Sequence, residues 1–441
     1  MALTITPPLG GIPMNLRNSL IHSAITLSLP AMLCAAEAEP IASEVTTAEA
    51  RRTFLETRYT DLINKYLAGP LSDETEKGWG EALWNAAHIN ERGPVVRDAV
   101  RRALIDAPHR SADFRLVTMR SVYTLFPNEL IEETRDALAV ADASRTFAMG
   151  AYQLLRAGGG AADRQLIRTL MENKFPEWQE DPRLEWLSHR LEISPVLDIT
   201  VRPALGDLLR MELPGEKPIV FSFQRLNRQQ PGLAVIRQPD GRFHRNPDGS
   251  IFRVGQLAMA RTDLPGTITY GNSPQGVYTI QGTGTARNPW IGPTPYLYSQ
   301  VPIESPLHRF VHGTVGEDDA WDDVAYLELL PESWRNYFPI REAWYAGRAG
   351  RSEMLMHGTT IDPNHYQGAS FFPFTPSAGC LCTLEFWAPE SGERLYSEQA
   401  TLVEAFRAAG GPFGYLVVVE LDDTPRAVAM EDVIVELLAA E

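Results

Sequence analysis

Hydrophobic residues recur at helical spacing through the first half of the chain. Residues 48–190 show this pattern, with Pro94 placed where a helix would begin and three glycines at 158–160 where another would end. The clearest apolar face is formed by Val96, Val100, Ala103 and Leu104. We therefore expect an all-α domain over residues 45–190.

A weak internal repeat suggests how these helices are arranged. The segment Arg-Arg-Ala-Leu at 101–104 recurs as Arg-Asp-Ala-Leu at 135–138, 34 positions later. Paired helices at that period are typical of an α-solenoid of the HEAT or TPR kind, and a plain helical bundle is the alternative. Because such regions more often bind a partner or separate other domains than catalyse a reaction, we expect this domain to hold a protein partner.

The pattern changes after a proline-containing connector at 191–217. Short apolar runs separated by Asp-Gly turns then predict strands, with one or two helices among them, one of which is expected at 397–409. The predicted strands lie at 219–223, 233–236, 252–260, 276–280, 355–357, 380–386 and 414–421. Residues 283–350 have no clean period and read as a long insertion. The fold class is therefore α+β and multidomain, with an all-α domain followed by a mainly-β domain over 218–425 and a C-terminal segment at 426–441.

Composition supports a globular protein and disfavours one class of partner. Of 441 residues, 44% are hydrophobic and 22% are charged, which excludes wholesale disorder, collagen and coiled coil. The 56 acidic residues exceed the 40 basic ones and give a formal charge of −16. Since such a chain repels phosphates, we expect no nucleic-acid partner.

The first residues resemble an export signal. Arg17 precedes an apolar stretch at 20–36, and small residues at 34–38 provide a cleavage site. Polar residues and Pro30 interrupt that stretch, so it predicts a signal peptide at 1–38 rather than a membrane span. We therefore expect a secreted or periplasmic protein with no transmembrane span after cleavage; lipidation at Cys34 is left open.

Two cysteines near the C-terminus become informative in that compartment. Cys380 and Cys382 are only two positions apart, a spacing that disfavours a disulfide between them. A free thiol in an oxidising compartment is either buried as a small apolar group or kept as a nucleophile.

The residues around Cys380 fit the second role. A thiol nucleophile needs a base nearby, and His357 stands in an apolar strand end upstream. Gly379 lets the backbone turn before the cysteine, so that N–H groups can face one point and stabilise an oxyanion. Acyl transfer through a thioester requires such a set.

These motifs resemble the L,D-transpeptidase (YkuD-like) catalytic domain. The resemblance rests on His-Gly-Thr at 357–359, on Ser-x-Gly-Cys at 377–380 and on the strand 272–280, and it covers roughly 218–425. It implies a mainly-β YkuD-like fold and acylation of the cysteine by a peptidoglycan tetrapeptide stem, after which an amine attacks the thioester.

The resemblance also implies residue roles. Cys380 would be the nucleophile, His357 the general base and Ser377 a residue that shapes the site. The backbone N–H groups of Gly379 and Cys380 would be oxyanion donors, and no metal or organic cofactor is implied. The remaining motif residues would contact substrate: Gly358, Thr359 and Ala378.

Departures from the family pattern keep alternatives open. The family often has His where this chain has Ala378, and Arg or Asn where it has Cys382, so recognition of a substrate carboxylate is in question. The alternatives are an L,D-carboxypeptidase or amidase-type hydrolase, and an inactive wall-binding module. The insertion at 283–350 could form a lid whose acidic run, 316–323, attracts an acceptor amine.

Other histidines offer weaker interpretations. His312 heads a second His-Gly-Thr triplet and is a rival for the general base. His308 and His312 are spaced i, i+4, but the His-Glu-x-x-His pattern of a zinc site is missing.

Overall fold

The computed structural model of the chain describes residues 41–288 and 291–441, so the predicted signal peptide lies outside the described residues. The first half is helical, as predicted, and one π-helical turn at Glu56–Thr60 joins its first two helices. These helices are α1 (Ala48–Leu55), α2 (Asp61–Tyr66), α3 (Glu76–His88), α4 (Pro94–Ile105), α5 (Ala112–Leu125), α6 (Ile131–Val140), α7 (Ser144–Arg156), α8 (Ala161–Lys174) and α9 (Pro182–Glu192).

The helices stack in two rows. Helices α3, α5, α7 and α9 contact one another in succession, and α4 contacts α6 in a second row. Pro94 is the first residue of α4, and the apolar face predicted for that helix is fully buried. Successive contacts between alternate helices favour the solenoid interpretation over a bundle with a single central seam.

The predicted connector is itself partly helical. It contains α10 (Pro195–Thr200) and α11 (Leu205–Leu209), and three leucines of α11 are buried. Helix α11 packs against α16 (Ile434–Ala440) in the C-terminal segment. Residues 191–217 therefore form a packed part of the fold, because their leucines can be buried against the chain's last helix.

The second half is built on one sheet. Its strands are β1 (Ile219–Gln224), β2 (Gly232–Arg237), β3 (Val254–Gln256), β4 (Gly276–Thr285), β5 (Pro295–Gln300), β6 (Met356–His357), β7 (Leu381–Cys382) and β10 (Phe413–Glu420), and a separate hairpin holds β8 (Glu385–Trp387) and β9 (Arg394–Ser397). The order is β3-β2-β1-β10-β4-β5-β6-β7, with β1–β10 and β6–β7 parallel and the other pairs antiparallel. An antiparallel bridge between Leu257 and Cys382 connects the two outer strands, so the sheet closes on itself.

Most strand predictions are confirmed, with three differences. The stretch predicted at 380–386 is two strands, β7 in the main sheet and β8 in the separate hairpin with β9. The strand expected at 252–260 is only β3, because the residues after it turn away to bridge Cys382 and Ser377. Strand β5 lies inside the predicted insertion, which therefore begins with a strand of the sheet. The coarse α+β class is confirmed.

The two faces of the sheet bury different cores. Val220 of β1 belongs to a core shared with Phe406 of α15 (Glu398–Ala408), the helix predicted at 397–409. Phe221 and Phe223 belong to a core that continues into the helical region. The helices of the first half are therefore attached directly to the sheet.

The rest of the insertion strengthens that attachment. It carries α12 (Leu307–Phe310), α13 (Asp323–Glu328) and α14 (Glu342–Arg348), and α14 packs on α9. Glu185 of α9 accepts hydrogen bonds from Tyr345 (2.6 Å) and Arg348 (2.9 Å). Phe338 stacks on Trp186 with ring centroids 4.9 Å apart. Within residues 41–288 and 291–441 no helix is long and apolar enough to cross a membrane.

Candidate active site

Two short parallel strands bring the predicted histidine and cysteine motifs together. In the β6–β7 pairing, His357 is opposite Cys382 and Met356 is opposite Leu381. Leu381 also donates its N–H to Leu355 O at 3.0 Å, which fixes the position of Cys380 one residue before β7. The register therefore places Cys380 beside Leu355, where the strand pair begins, and His357 beside Cys382, where it ends.

The Cys380 thiol is partly exposed and is held by backbone groups. Its Sγ accepts a hydrogen bond from Leu355 N (3.3 Å) and donates one to Glu353 O (3.5 Å). No hydrogen bond joins Cys380 to His357, although both belong to the described residues. The two residues line one cleft without forming a bonded pair.

The hydrogen bonds of His357 define its tautomer. The side chain is buried, and Nδ1 bonds to Gly358 O. Because a carbonyl oxygen only accepts, Nδ1 carries the proton and Nε2 keeps its lone pair, as a general base requires. Cys382 Sγ lies 4.0 Å from both ring nitrogens and is buried, so Cys382 is a core thiol packed on the imidazole.

Burial keeps both groups of the candidate pair neutral. It raises the pKa of the Cys380 thiol to about 11, although the Leu355 N–H and the Arg351 charge oppose that shift. Burial also lowers the pKa of His357 to about 4. The hydrogen bond to the Gly358 carbonyl opposes this shift, and the charge of Arg261 adds to it. The free protein therefore holds a thiol and an imidazole at neutral pH, not a thiolate–imidazolium pair.

Ser377 and Gly379 shape the loop before Cys380. Ser377 Oγ accepts from Gly379 N (3.0 Å) and donates to Cys380 O (2.8 Å). Gly379 has φ +129°, and a Cβ there would overlap Arg351 and lie 2.8 Å from Gly271 O. Only glycine fits this position.

One of the two expected oxyanion donors is already engaged. The Gly379 N–H is used by Ser377 Oγ, so the expectation for that group is wrong, since a hydroxyl in the same turn satisfies it first. The Cys380 N–H donates to no group among residues 41–288 and 291–441. It is the donor that an oxyanion at Cys380 would meet.

A buried arginine, Arg351, packs behind this loop. Its role was not predicted from the sequence. Arg351 is 4% exposed and donates to Asn272 O (2.7 Å) and Gly271 O (2.9 Å). Ser273 Oγ donates to Gly379 O at 2.8 Å, so the beginning of the 272–280 motif holds the loop that carries Cys380. A lone arginine in an irregular segment gave no signal of this role.

The candidate residues open on one cleft of about 720 Å³. Its floor is lined by Cys380, His357, Ser377, Ala378 and Thr359. Its opposite wall comes from the helical region, a contribution that the sequence did not predict. The residues of that wall are Thr57, Tyr59, Leu62, Glu81, Trp84, Asn85 and His88.

Within the described residues, the insertion reaches this cleft only near its beginning. Among its described residues only Asn288 and Ile291 line it, and the acidic run 316–323 is absent from the lining. For the part of the insertion after β5, the lid expectation is therefore wrong, because its aromatic side chains are buried against α9 and the sheet. Trp321, for example, donates to Ser305 O at 2.8 Å and packs on Phe310.

An arginine at the cleft ties the loop to the helical wall. Arg261 donates its backbone N–H to Ser377 O at 2.9 Å, and its guanidinium bonds His88 Nε2. Burial, followed by the charges of Arg261 and Arg120, lowers the pKa of His88 to about 3. His88 therefore stays neutral and holds Arg261 at the edge of the cleft.

Gly358 lies behind His357 rather than in the cleft lining. Its N–H donates to Thr294 Oγ1 (3.1 Å), which donates to the buried carboxyl of Glu385 (2.9 Å). Burial raises the pKa of Glu385 to about 6. This chain of hydrogen bonds fixes the turn that carries His357, so Gly358 acts on the site through the backbone.

The rival histidine lies elsewhere. His312 is outside the cleft lining, and its Nε2 is 3.0 Å from Gly414 O. Within residues 41–288 and 291–441, no three His, Cys, Asp or Glu side chains are grouped as metal ligands would be. Comparison of the chain with known protein families, with curated proteins and with solved structures finds no match.

Proposed function

We propose that this protein is a cysteine acyltransferase that acts on peptidoglycan stem peptides in the manner of an L,D-transpeptidase. The observation that carries the proposal is the cleft that Cys380 and His357 both line. Support also comes from the Nε2 lone pair of His357, from the Cys380 N–H and from the glycine turn at Gly379. Export of the chain stays a prediction.

The first step acylates Cys380. Its Sγ attacks the carbonyl carbon of the penultimate residue of a tetrapeptide stem while His357 Nε2 takes the thiol proton. The Cys380 N–H stabilises the oxyanion of the tetrahedral intermediate. The amide C–N bond then breaks, and the imidazolium returns the proton to the leaving D-alanine amine.

The second step releases the acyl group. An acceptor amine attacks the thioester carbon, and His357 takes the proton that this amine loses. The C–S bond breaks, and the same proton returns to the Cys380 sulfur, so the enzyme regains its neutral pair. Water in place of the amine gives the hydrolase alternative with the same residues.

The neutral pair also favours general-base catalysis over a preformed thiolate. With the pKa of Cys380 raised to about 11 and that of His357 lowered to about 4, neither group changes charge around neutral pH. Proton transfer must then accompany attack, which needs Cys380 to turn from Glu353 O toward His357 once substrate is bound.

A non-catalytic cleft is the second candidate. The observation in its favour is that Cys380 Sγ is held by Leu355 and Glu353 and forms no hydrogen bond with His357. Such a protein would bind wall peptides between the sheet and the helical wall without forming a thioester.

Product analysis tests the proposal. The full chain and its Cys380→Ala variant are incubated with diaminopimelate-containing tetrapeptide muropeptides, and the products are read by mass spectrometry. A cross-linked dimer that requires Cys380 supports the transferase, and a tripeptide without dimer supports the hydrolase. Unchanged peptides, under conditions in which an established L,D-transpeptidase works, would refute both and leave the binding module.

A further inference from the structure

Arg120 is a buried cation without an acidic partner. It lies on α5, is 4% exposed, and takes part in no ion pair with any residue of 41–288 and 291–441. Its Nε has no hydrogen-bond partner in this part of the chain. The guanidinium instead lies over the rings of Trp84 (4.3 Å) and Tyr270 (5.1 Å). A buried charge is costly to leave uncompensated, so an arginine in this position needs an explanation.

The guanidinium of Arg120 borders a recess beside the candidate nucleophile loop. The recess holds about 10 Å³, the room taken by one water molecule or one carboxylate oxygen. Ser377 and Ala378 form its other side, and Arg261 lines both the recess and the main cleft. A group that enters from the cleft therefore meets two arginines a few residues from Cys380.

The charges that line the recess itself favour an anion, because Arg120 and Arg261 belong to its lining and no described carboxylate does. Burial lowers the pKa of Arg120 to about 10, and the positive charge of nearby Arg145 adds to this effect. Asp263, close in the chain to Arg261, is paired with Arg156 at 2.9 Å and does not neutralise this group. His88 between the two arginines stays neutral. The recess is thus lined by two positively charged side chains and by aromatic rings.

We propose that Arg120 and Arg261 form a carboxylate-binding subsite that fixes the peptide substrate beside Cys380. This inference rests on the proposed function for the identity of the peptide, and on the recess itself for the chemistry. Guanidinium groups bind carboxylates through charge-assisted hydrogen bonds. The subsite would bind the substrate carboxylate, which Cys382 cannot do. One of its two arginines, Arg120, comes from the helical region.

The first experiment tests the subsite without peptide or turnover. The melting temperature of the full chain is measured in sodium acetate and in sodium chloride of equal ionic strength, with acetamide as the neutral analogue. Acetate should raise the melting temperature by about 1–2 °C over chloride, since a ligand of the folded state stabilises it. Arg120→Met should abolish this difference, whereas Arg97→Met, which removes an exposed arginine paired with Glu129, should keep it.

A second measurement separates binding from structure. Arg120→Met should melt no lower than the parent in chloride, because it replaces an uncompensated buried charge with an apolar side chain. A purely structural Arg120 predicts a lower melting temperature and an unchanged acetate effect, which would overturn the proposal. Arg261→Gln provides a second variant that keeps Arg120 in place.

Peptide binding to the Cys380→Ala protein then identifies the carboxylate. Tetrapeptides with the terminal or the diaminopimelate carboxylate converted to an amide are compared with the free acid by calorimetry. One of the two amides should bind about tenfold or more weakly and lose its dependence on Arg120. Equal binding of all three peptides, or no acetate effect in the first experiment, would refute the subsite. An acetate effect without peptide binding would keep the subsite and refute the proposed peptide substrate.

Discussion

The reactivity of the Cys380 thiol in the free protein follows directly from its surroundings. With the pKa raised to about 11, only about one thiol in a thousand is ionised at pH 8. About a quarter of an unperturbed cysteine, with a pKa of about 8.5, is ionised at that pH. The more basic thiolate is intrinsically about tenfold more reactive, because nucleophilicity rises with pKa. Alkylation of Cys380 at pH 8 should therefore be about 20-fold slower than alkylation of a cysteine in a short peptide.

The assay is iodoacetamide labelling between pH 6 and 11, with the modified cysteine identified by peptide mapping. The rate at Cys380 should rise about tenfold per pH unit up to pH 10. His357→Ala should leave this profile unchanged, because no hydrogen bond joins the two groups in the free protein. Cys382, buried against the imidazole, should react more slowly still. A midpoint below pH 8 that His357→Ala shifts upward would refute the neutral-pair interpretation and indicate a preformed ion pair.

Three further predictions test the parts around this thiol. Gly379→Ala should lower the free energy of unfolding by roughly 2–5 kcal/mol in urea titrations, because the strain of a positive φ adds to the overlap with Arg351. The control Gly160→Ala, whose added Cβ meets no atom within 4 Å, should lower it by under about 1 kcal/mol. Equal effects of the two substitutions would contradict the loop geometry. Ser377→Ala should cost about 1–2 kcal/mol in the same titrations and should lower kcat more than it raises KM, since it frees the loop that carries Cys380; an unchanged kcat would count against this role. The free energy of unfolding should fall by up to about 4 kcal/mol as the pH drops from 6.5 towards 3, because His88 is protonated in the unfolded chain before it is protonated in the folded one. This loss should be smaller in His88→Gln. The same dependence of the unfolding free energy on pH in both proteins would show that His88 is not held neutral.

Periodicity predicted the regular elements well. The apolar face of α4 and its start at Pro94 were readable from the sequence because a 3.6-residue period and a proline are local signals. Strand β10 was equally clear as a continuous apolar run. Strand β5 was missed, because its first residue is a proline and its tyrosines and polar residues leave no clean apolar face. The helices of the connector were hidden by prolines that in fact begin α10 and precede α11.

The candidate site was predictable only where its residues are close in sequence. Ser377, Ala378 and Cys380 belong to one motif, and the structure places them with His357 in the lining of one cleft. The helical wall could not be foreseen, since the contact of Arg261 with His88 joins residues far apart in the chain. Arg120 gave no signal because nothing in a sequence shows that a helical arginine has no acidic partner. The acidic run 316–323 was misleading for the opposite reason, being conspicuous in sequence but remote from the cleft lining.

In the proposed reaction Cys380 carries the acyl group, and intact-mass spectrometry detects that group without any intermediate inference. The full chain is mixed with a tetrapeptide muropeptide, quenched in acid within seconds, and compared with Cys380→Ala and with Cys382→Ala. We expect an added mass equal to the peptide less its terminal D-alanine, mapped to Cys380 and retained in Cys382→Ala. No adduct in any sample, or an adduct that persists in Cys380→Ala, would contradict it.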